Sequence, residues 1–462
     1  MNAIVLTAFW GVVMMFAGAF LKSKSLPKYL AIAGIIIVFL ANAIELKTQT
    51  SFFNIDLHNM IRTDSFNLTF IAVAVAATFL LFILNGKDFE NIGIHVSEYF
   101  ALIFFILCGV ALSATFNTLL LMFLGIEIIS IPLYILSGSE KKNLKSNEAA
   151  LKYLLMGAFS TGIMLMGIAF IYGANENGSF FISNINLGAQ PISPMFVVGL
   201  VFLLVSMSFK VSAAPFHFWA PDVYDGAPMV VTSFMATVVK VAAFIAFIRL
   251  FDNAFGKIHT QWQNLIVVIT IATLLIGNIT AVFQQSVKRM LAYSSIAQAG
   301  FMMLALLSLN DKGKEGIIIY SAAYSLATIG LFAVLVKMKD YTIDGFNGMA
   351  KKYPAIAVSA AIFLFSLTGI PLTIGFQAKF MMLLSVIEAG GYFWVVIIAV
   401  LFAAVSAFYY FRIIQAMFFK PALPDENSLA AGKSFKIIIV ITAILIILLG
   451  VYPELLVGWI YS

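Results

Sequence analysis

Apolar runs of about 20 residues, separated by short polar breaks, recur from one end of this 462-residue chain to the other. About 20 apolar residues are what a helix needs to cross roughly 30 Å of hydrocarbon. Helices and closed barrels are the two structures that satisfy every backbone polar group there, and unbroken apolar runs without two-residue alternation point to helices. The runs lie at residues 3–20, 29–45, 66–86, 97–114, 117–137, 149–173, 195–222, 229–251, 263–284, 289–309, 315–338, 355–388, 391–419 and 436–459. They predict an all-α membrane protein of about fourteen transmembrane helices, a single polytopic domain over residues 1–462. The first run has no basic stretch before it and no small-residue cleavage site after it, so it reads as a permanent span.

An even number of spans puts both termini on one side. Breaks after odd-numbered spans hold sixteen lysines and arginines, from Lys22 and Lys24 through to Lys433 and Lys436. Breaks after even-numbered spans hold six: Lys47, Arg62, Arg249, Lys257, Lys312 and Lys314. Cytoplasmic loops carry the excess of basic residues, so both termini are expected on the non-cytoplasmic side. The net charge of +6 is spread over these loops and gives no basic patch for nucleic acid. The stretch from Pro421 to Ser434 reads as an ordinary polar loop.

The seventh and twelfth spans each combine a lysine with proline: FKVSAAPFHFWAP over 209–221 and TGIPLTIGFQAK over 368–379. Proline removes a helical hydrogen bond, so both spans should be broken. Irregular backbone at that depth is tolerated where it is buried in protein or lines a wet cavity. Five spans separate the two, which gives them opposite directions across the membrane, the arrangement of an inverted repeat. Spans 4–8 (residues 97–251) and 9–13 (residues 263–419) would form the two halves.

Four ionisable side chains, Glu127, Lys210, Lys240 and Lys379, fall inside these runs. Each would cost roughly 2.5 to 3.5 kcal/mol facing lipid, so they must face protein, water or one another. Lys240 sits near the centre of its run with Ser233 and Thr237 expected on its face, a partly desolvated site where an amine can exchange protons near neutral pH. Glu127 shares a face with Ser130 and Tyr134 and needs a cationic partner, for which Lys210 is the candidate. Static salt bridges or charges that only fix helix packing are the alternative readings. His217 follows Lys210 by seven residues and would share its face in an unbroken helix. Glu148 and Lys152, four apart, read as a local surface ion pair more than a relay. These three are second-tier candidates.

Other chemistry finds little support. No dinucleotide fingerprint, phosphate loop or paired metal-ligand motif is present, and the single cysteine, Cys108, gives neither a disulfide nor a thiolate-held cluster within this chain. Composition, 62% hydrophobic and 10% charged, excludes an ordinary soluble domain.

The stretches LGIEIISIPLYILSG (124–138), EAALKYLLMGAFSTGI (148–163), FKVSAAPFHFWAPDVYDGAP (209–228) and VKRMLAYSSIAQAGF (287–301) resemble the antiporter-like membrane subunits of complex I, the proton-pumping NADH:quinone oxidoreductase. The resemblance covers almost the whole chain. It implies fourteen helices with broken spans 7 and 12, and proton translocation at Glu127, Lys210, Lys240 and Lys379. It also implies no cofactor in this chain, with NADH, FMN, iron-sulfur clusters and quinone in partner subunits of a bacterial inner-membrane complex. A lysine rather than a glutamate in span 12 resembles the subunits called N and L more than M, and the absence of a long lateral helix after span 14 argues against L. A subunit of a multi-subunit cation/proton antiporter is the alternative. Where many relatives have a histidine after Ser-Ser-Ile-Ala, this chain has Gln298, which cannot titrate; residues 371–379 also depart from the usual pattern.

Overall fold

The computed structural model describes the chain except for residues 21–24, 54, 56, 57, 94, 176, 177, 186–192, 423–428, 430 and 459–462. Lys22 and Lys24, half of the 421–434 connection and the end of the last predicted run therefore lie outside the described residues. The α-helices in chain order are α1 (Asn2–Phe20), α2 (Leu26–Thr48), α3 (Ser65–Asn85), α4 (Val96–Thr115), α5 (Leu119–Ser137), α6 (Leu144–Ala174), α7 (Pro194–Lys210), α8 (Trp219–Gly226), α9 (Met229–Phe234), α10 (Lys240–Phe255), α11 (His259–Val282) and α12 (Val287–Ser308). They continue as α13 (Asp311–Val336), α14 (Met349–Lys352), α15 (Pro354–Thr368), α16 (Ile374–Ala389), α17 (Phe393–Phe419), α18 (Lys433–Val451) and α19 (Glu454–Val457). Extended pairing among the described residues is limited to isolated bridges, so the protein is all-α.

Eleven helical stretches among the described residues are long and apolar enough to cross a membrane, with Pro194–Lys210 and Pro354–Thr368 as shorter apolar helices. The two short ones are the first segments of the proline-containing spans, and their shortness is the break that the sequence predicts. One of the eleven, Met229–Val282, runs for 54 residues. The polar break expected at 252–262 is thus no loop but a single turn at Gly256–Ile258 between α10 and α11. Its polar groups are absorbed locally: Asp252 pairs with Lys314 at 2.8 Å, and Asn253 Nδ2 donates to the Arg249 carbonyl at 3.0 Å.

The centre of the bundle is α12 and α13, each 94% buried across its most apolar window, whereas α1, α6, α17 and α18 are 22–33% buried and form the rim. Around the centre, α12 packs on α8, α11, α13 and α16, and α13 packs on α3, α15 and α16. The central helix is therefore the one that can touch both broken spans.

At each break some of the freed backbone groups find partners. Trp219 Nε1 donates to the Phe209 carbonyl at 2.9 Å, and Ala214 N donates to Thr273 Oγ1 of α11 at 2.9 Å. At the other break α15 stops at Gly369, whose φ of +89° lies in the left-handed region that glycine tolerates, and Gly369 N closes onto the Phe365 carbonyl at 2.9 Å.

Arg249, predicted at the end of a span, is instead buried within α10 and ties three chain junctions together. Its Nε donates to the Phe116 carbonyl at 2.8 Å, one Nη to the Arg62 carbonyl at 3.2 Å, and the other Nη lies 3.6 Å from the Asp64 carboxylate. Arg249→Met should leave those carbonyls without a donor and destabilise the protein by about 2 kcal/mol. A lower thermal unfolding midpoint of the purified complex checks this; an unchanged one refutes it.

Candidate functional site

The first cluster joins α5, α6 and α7. Lys210, the last residue of α7, points its ammonium at Ser130 Oγ (2.9 Å) and lies 3.6 Å from Glu127 Oε1. Thr161 of α6 bridges the pair: its hydroxyl donates to Glu127 Oε1 at 2.8 Å and lies 3.5 Å from Lys210 Nζ. At 3.6 Å the charges attract without a direct hydrogen bond, so the hydroxyls mediate the contact. Thr161 carries no distinguishing signal in the sequence, because one threonine on a lipid-facing helix is unremarkable by itself.

A train of rings leads away from this pair. Tyr134 meets Tyr153 edge-on at 4.8 Å, Tyr153 stacks on Trp219 at 4.7 Å, and Trp219 meets Tyr224 at 5.8 Å. The Tyr134 hydroxyl is buried with no hydrogen-bond partner among the described residues. Lys240 lies beyond, its ammonium 5.9 Å from the Tyr224 ring centre, within the range of a cation–π contact.

Lys240 is 2% exposed and donates to both the carbonyl (2.8 Å) and the hydroxyl (2.9 Å) of Ser295 on α12. This corrects the expected polar stripe of Ser233 and Thr237. Residues Met235–Val239 form one turn of π-helix, which shifts the helical register. Thr237 Oγ1 instead donates to the Ser233 carbonyl, and Ser233 Oγ has no partner among the described residues.

Lys379 of α16 reaches back across the second break. Its ammonium donates to the last carbonyls of α15, Leu367 (3.0 Å) and Thr368 (2.8 Å), and lies 4.6 Å from the Phe301 ring centre. A cation at a helix C-terminus satisfies orphan carbonyls and the negative end of the helix dipole together. Gln298 of α12 shares the same acceptor: its Nε2 donates to the Leu367 carbonyl at 3.0 Å, and its Oε1 accepts from the Tyr320 hydroxyl. Ser295 and Gln298 are one turn apart, so α12 connects Lys240 on one side to the Lys379 carbonyls on the other.

The second-tier residues fall elsewhere. His217 lies in the irregular 211–218 segment, 5% exposed, its Nδ1 without a partner among the described residues; the break removes the shared face with Lys210 that an unbroken helix would give. Glu148 and Lys152 do pair at 2.8 Å, but Lys152 also bonds Asp222 of α8 at 2.8 Å, and Asp222 in turn accepts from Arg289 of α12 at 3.1 Å. The pair is one end of a network spanning three helices, not a local contact. Asp222 and Arg289 carry no such signal in the sequence, since partners 70 and 67 residues away leave no local spacing to read.

Residues 117–405 match the family described as NADH:quinone oxidoreductase/Mrp antiporter, TM. Over 461 residues the chain is 37% identical to NADH-quinone oxidoreductase subunit N of Cytophaga hutchinsonii, covering 99% of this chain and 98% of that one. Over 460 residues it is 36% identical to the subunit N of Flavobacterium psychrophilum, covering 98% and 99%. Among solved structures it resembles a chain of respiratory complex I from Thermus thermophilus with bound aureothin, with a TM-score of 0.84 and 29% identity, covering 99% and 98%. A chain of the Mrp complex from Dietzia sp. DQ12-45-1b gives a TM-score of 0.85 at 18% identity, covering 99% and 95%, a likeness of fold alone. With full-length identity of this order and a family match across more than half its residues, the chain belongs to the NADH-quinone oxidoreductase subunit N family of antiporter-like membrane proteins.

Proposed function

We propose that this chain is a proton-translocating membrane subunit of NADH:quinone oxidoreductase, with Glu127 and Lys210 as the modulating pair, Lys240 as the central relay and Lys379 as the exit-side lysine. The observation that carries the reading is the polar line along α12, from Ser295 bonded to Lys240 to Gln298 sharing the Leu367 carbonyl with Lys379. Buried amines joined through hydroxyls and carbonyls are placed to exchange protons in steps and would otherwise be an unrewarded cost in hydrocarbon. Between Lys210 and Lys240 the ring faces offer no acceptor, so transfer there needs water or movement of the Tyr134 and Tyr224 hydroxyls. Gln298 cannot titrate, so protons pass beside it.

The halves of the transport unit are residues 97–251 and 263–419, inverted five-helix repeats within a fourteen-span bundle. Each break carries a lysine, Lys210 as the last residue of α7 before the first and Lys379 of α16 after the second, its ammonium on the last carbonyls of α15, which supports that pairing. Both termini face away from the cytoplasm of a bacterial inner membrane. A cavity of about 390 Å³, lined by Asp88, Glu140, Lys145, Asp225 and Lys288, lies on the face carrying the basic loops and is a source of water for the interior. NADH, FMN, iron-sulfur clusters and quinone belong to partner subunits, which supply the energy; one charge moved against 100 mV costs about 2.3 kcal/mol.

The test is Glu127→Gln in the assembled oxidoreductase. The amide keeps a hydrogen bond to Thr161 and loses the charge facing Lys210. Proton translocation per NADH, followed with a pH-sensitive dye in proteoliposomes, should fall on the order of tenfold, as expected when about 1.4 kcal/mol of switching energy is lost. Unchanged translocation removes Glu127 from the mechanism.

A further inference from the structure

An open groove of about 960 Å³ lies between the beginnings of α4 and α6, apart from the buried lysines. Lys141, Lys142, Lys145, His95, Tyr99 and Leu144 are among the residues lining it. The three lysines are exposed. Two carboxylates lie near them: Glu98 pairs with His95 at 2.7 Å, and Glu140, which also lines the groove, accepts from Asn143 Nδ2 at 2.9 Å and offsets one of the three lysine charges. The three lysines against the one lining carboxylate thus leave a net positive groove at the start of α6, the positive end of a 31-residue helix. Below it an apolar stripe runs along α6 at helical spacing, Leu144, Leu151, Leu155 and Phe159, 83%, 57%, 62% and 74% exposed.

We propose that this groove binds an anionic phospholipid of the adjoining leaflet. The phosphate sits on Lys141, Lys142 and Lys145, and an acyl chain lies along the α6 stripe. A free phosphate would use the lysines and leave the stripe uncovered; a zwitterionic lipid would use the stripe and leave the lysines uncompensated. The charge of the three lysines favours an anionic over a zwitterionic headgroup on the order of 100-fold. The assignment does not rest on the proton path: Lys141 and Lys142 lie outside it, and Lys145 meets it only where it also lines the 390 Å³ cavity.

The experiment uses the intact, delipidated oxidoreductase in detergent, titrated separately with phosphatidylglycerol and phosphatidylcholine and read by native mass spectrometry. The wild type should retain one more phosphatidylglycerol than the Lys141→Gln/Lys142→Gln/Lys145→Gln variant, and phosphatidylcholine should not replace it. Millimolar inorganic phosphate should not displace it. Equal retention by wild type and variant, equal retention of phosphatidylcholine, or displacement by phosphate would each overturn the proposal. Should the triple variant fail to assemble, Lys142→Gln with the same titration decides the matter: a weakened phosphatidylglycerol site supports the assignment and an unaltered one rejects it.

Discussion

Replacing Lys240 by alanine in the assembled oxidoreductase should lower NADH-driven proton translocation on the order of 100-fold, the factor that about 3 kcal/mol of added barrier at membrane depth produces. The side chain is buried at 2% exposure, and its ammonium is held by the two oxygens of Ser295 at 2.8 and 2.9 Å. Alanine leaves those oxygens without a donor and leaves no exchangeable proton between the ring train and α12. Arginine separates charge from exchange. It carries the same charge and keeps its proton at any working pH, so Lys240→Arg should lose translocation as fully as alanine. If arginine instead restores pumping, the lysine only balances charge in the fold and the relay assignment falls.

Gly375→Ala should cause the largest loss of stability, on the order of 3 kcal/mol or more, the upper range for forcing an atom into a packed interior. A Cβ built on Gly375 falls on the Ser366 carbonyl oxygen and 2.6 Å from its carbon, both backbone atoms that cannot rotate away. The clash sits where α16 folds back on the end of α15. Relief would push α16 outward and draw Lys379 off the Leu367 and Thr368 carbonyls, so assembled complex and proton translocation should fall together. Gly162→Ala, in α6 with open space around it, is the control. Equal yields of assembled complex from the two variants, judged by native gel and thermal midpoint, would refute the claim that this close approach holds the broken span together.

The two expectations differ in how they could be reached. Lys240 is conspicuous in the sequence, because a lysine twelve residues into an apolar run has a physical cost that composition alone exposes. Its partner is not. The π-turn at Met235–Val239 turns Lys240 away from the stripe that regular helical spacing predicts, and Ser295 comes from 55 residues further along the chain. Gly375 looks like any glycine after a proline; its intolerance appears once Ser366 is seen against it. Gln298 is legible as a departure from a family pattern, whereas the carbonyl it shares with Lys379 belongs to a residue 69 positions away.

Hydrophobic runs, proline positions and isolated charges determined from the sequence that this is a helical membrane protein with two broken spans and amines at depth. Those are local properties: span length is set by bilayer thickness, and a break is set by a missing amide hydrogen. Tertiary structure decided which oxygens hold each amine, that α12 and α13 are the buried centre, and that Glu148 and Lys152 continue into Asp222 and Arg289. Contacts between helices depend on how side chains of two surfaces interlock, and that pairing leaves no periodic trace along either stretch of sequence.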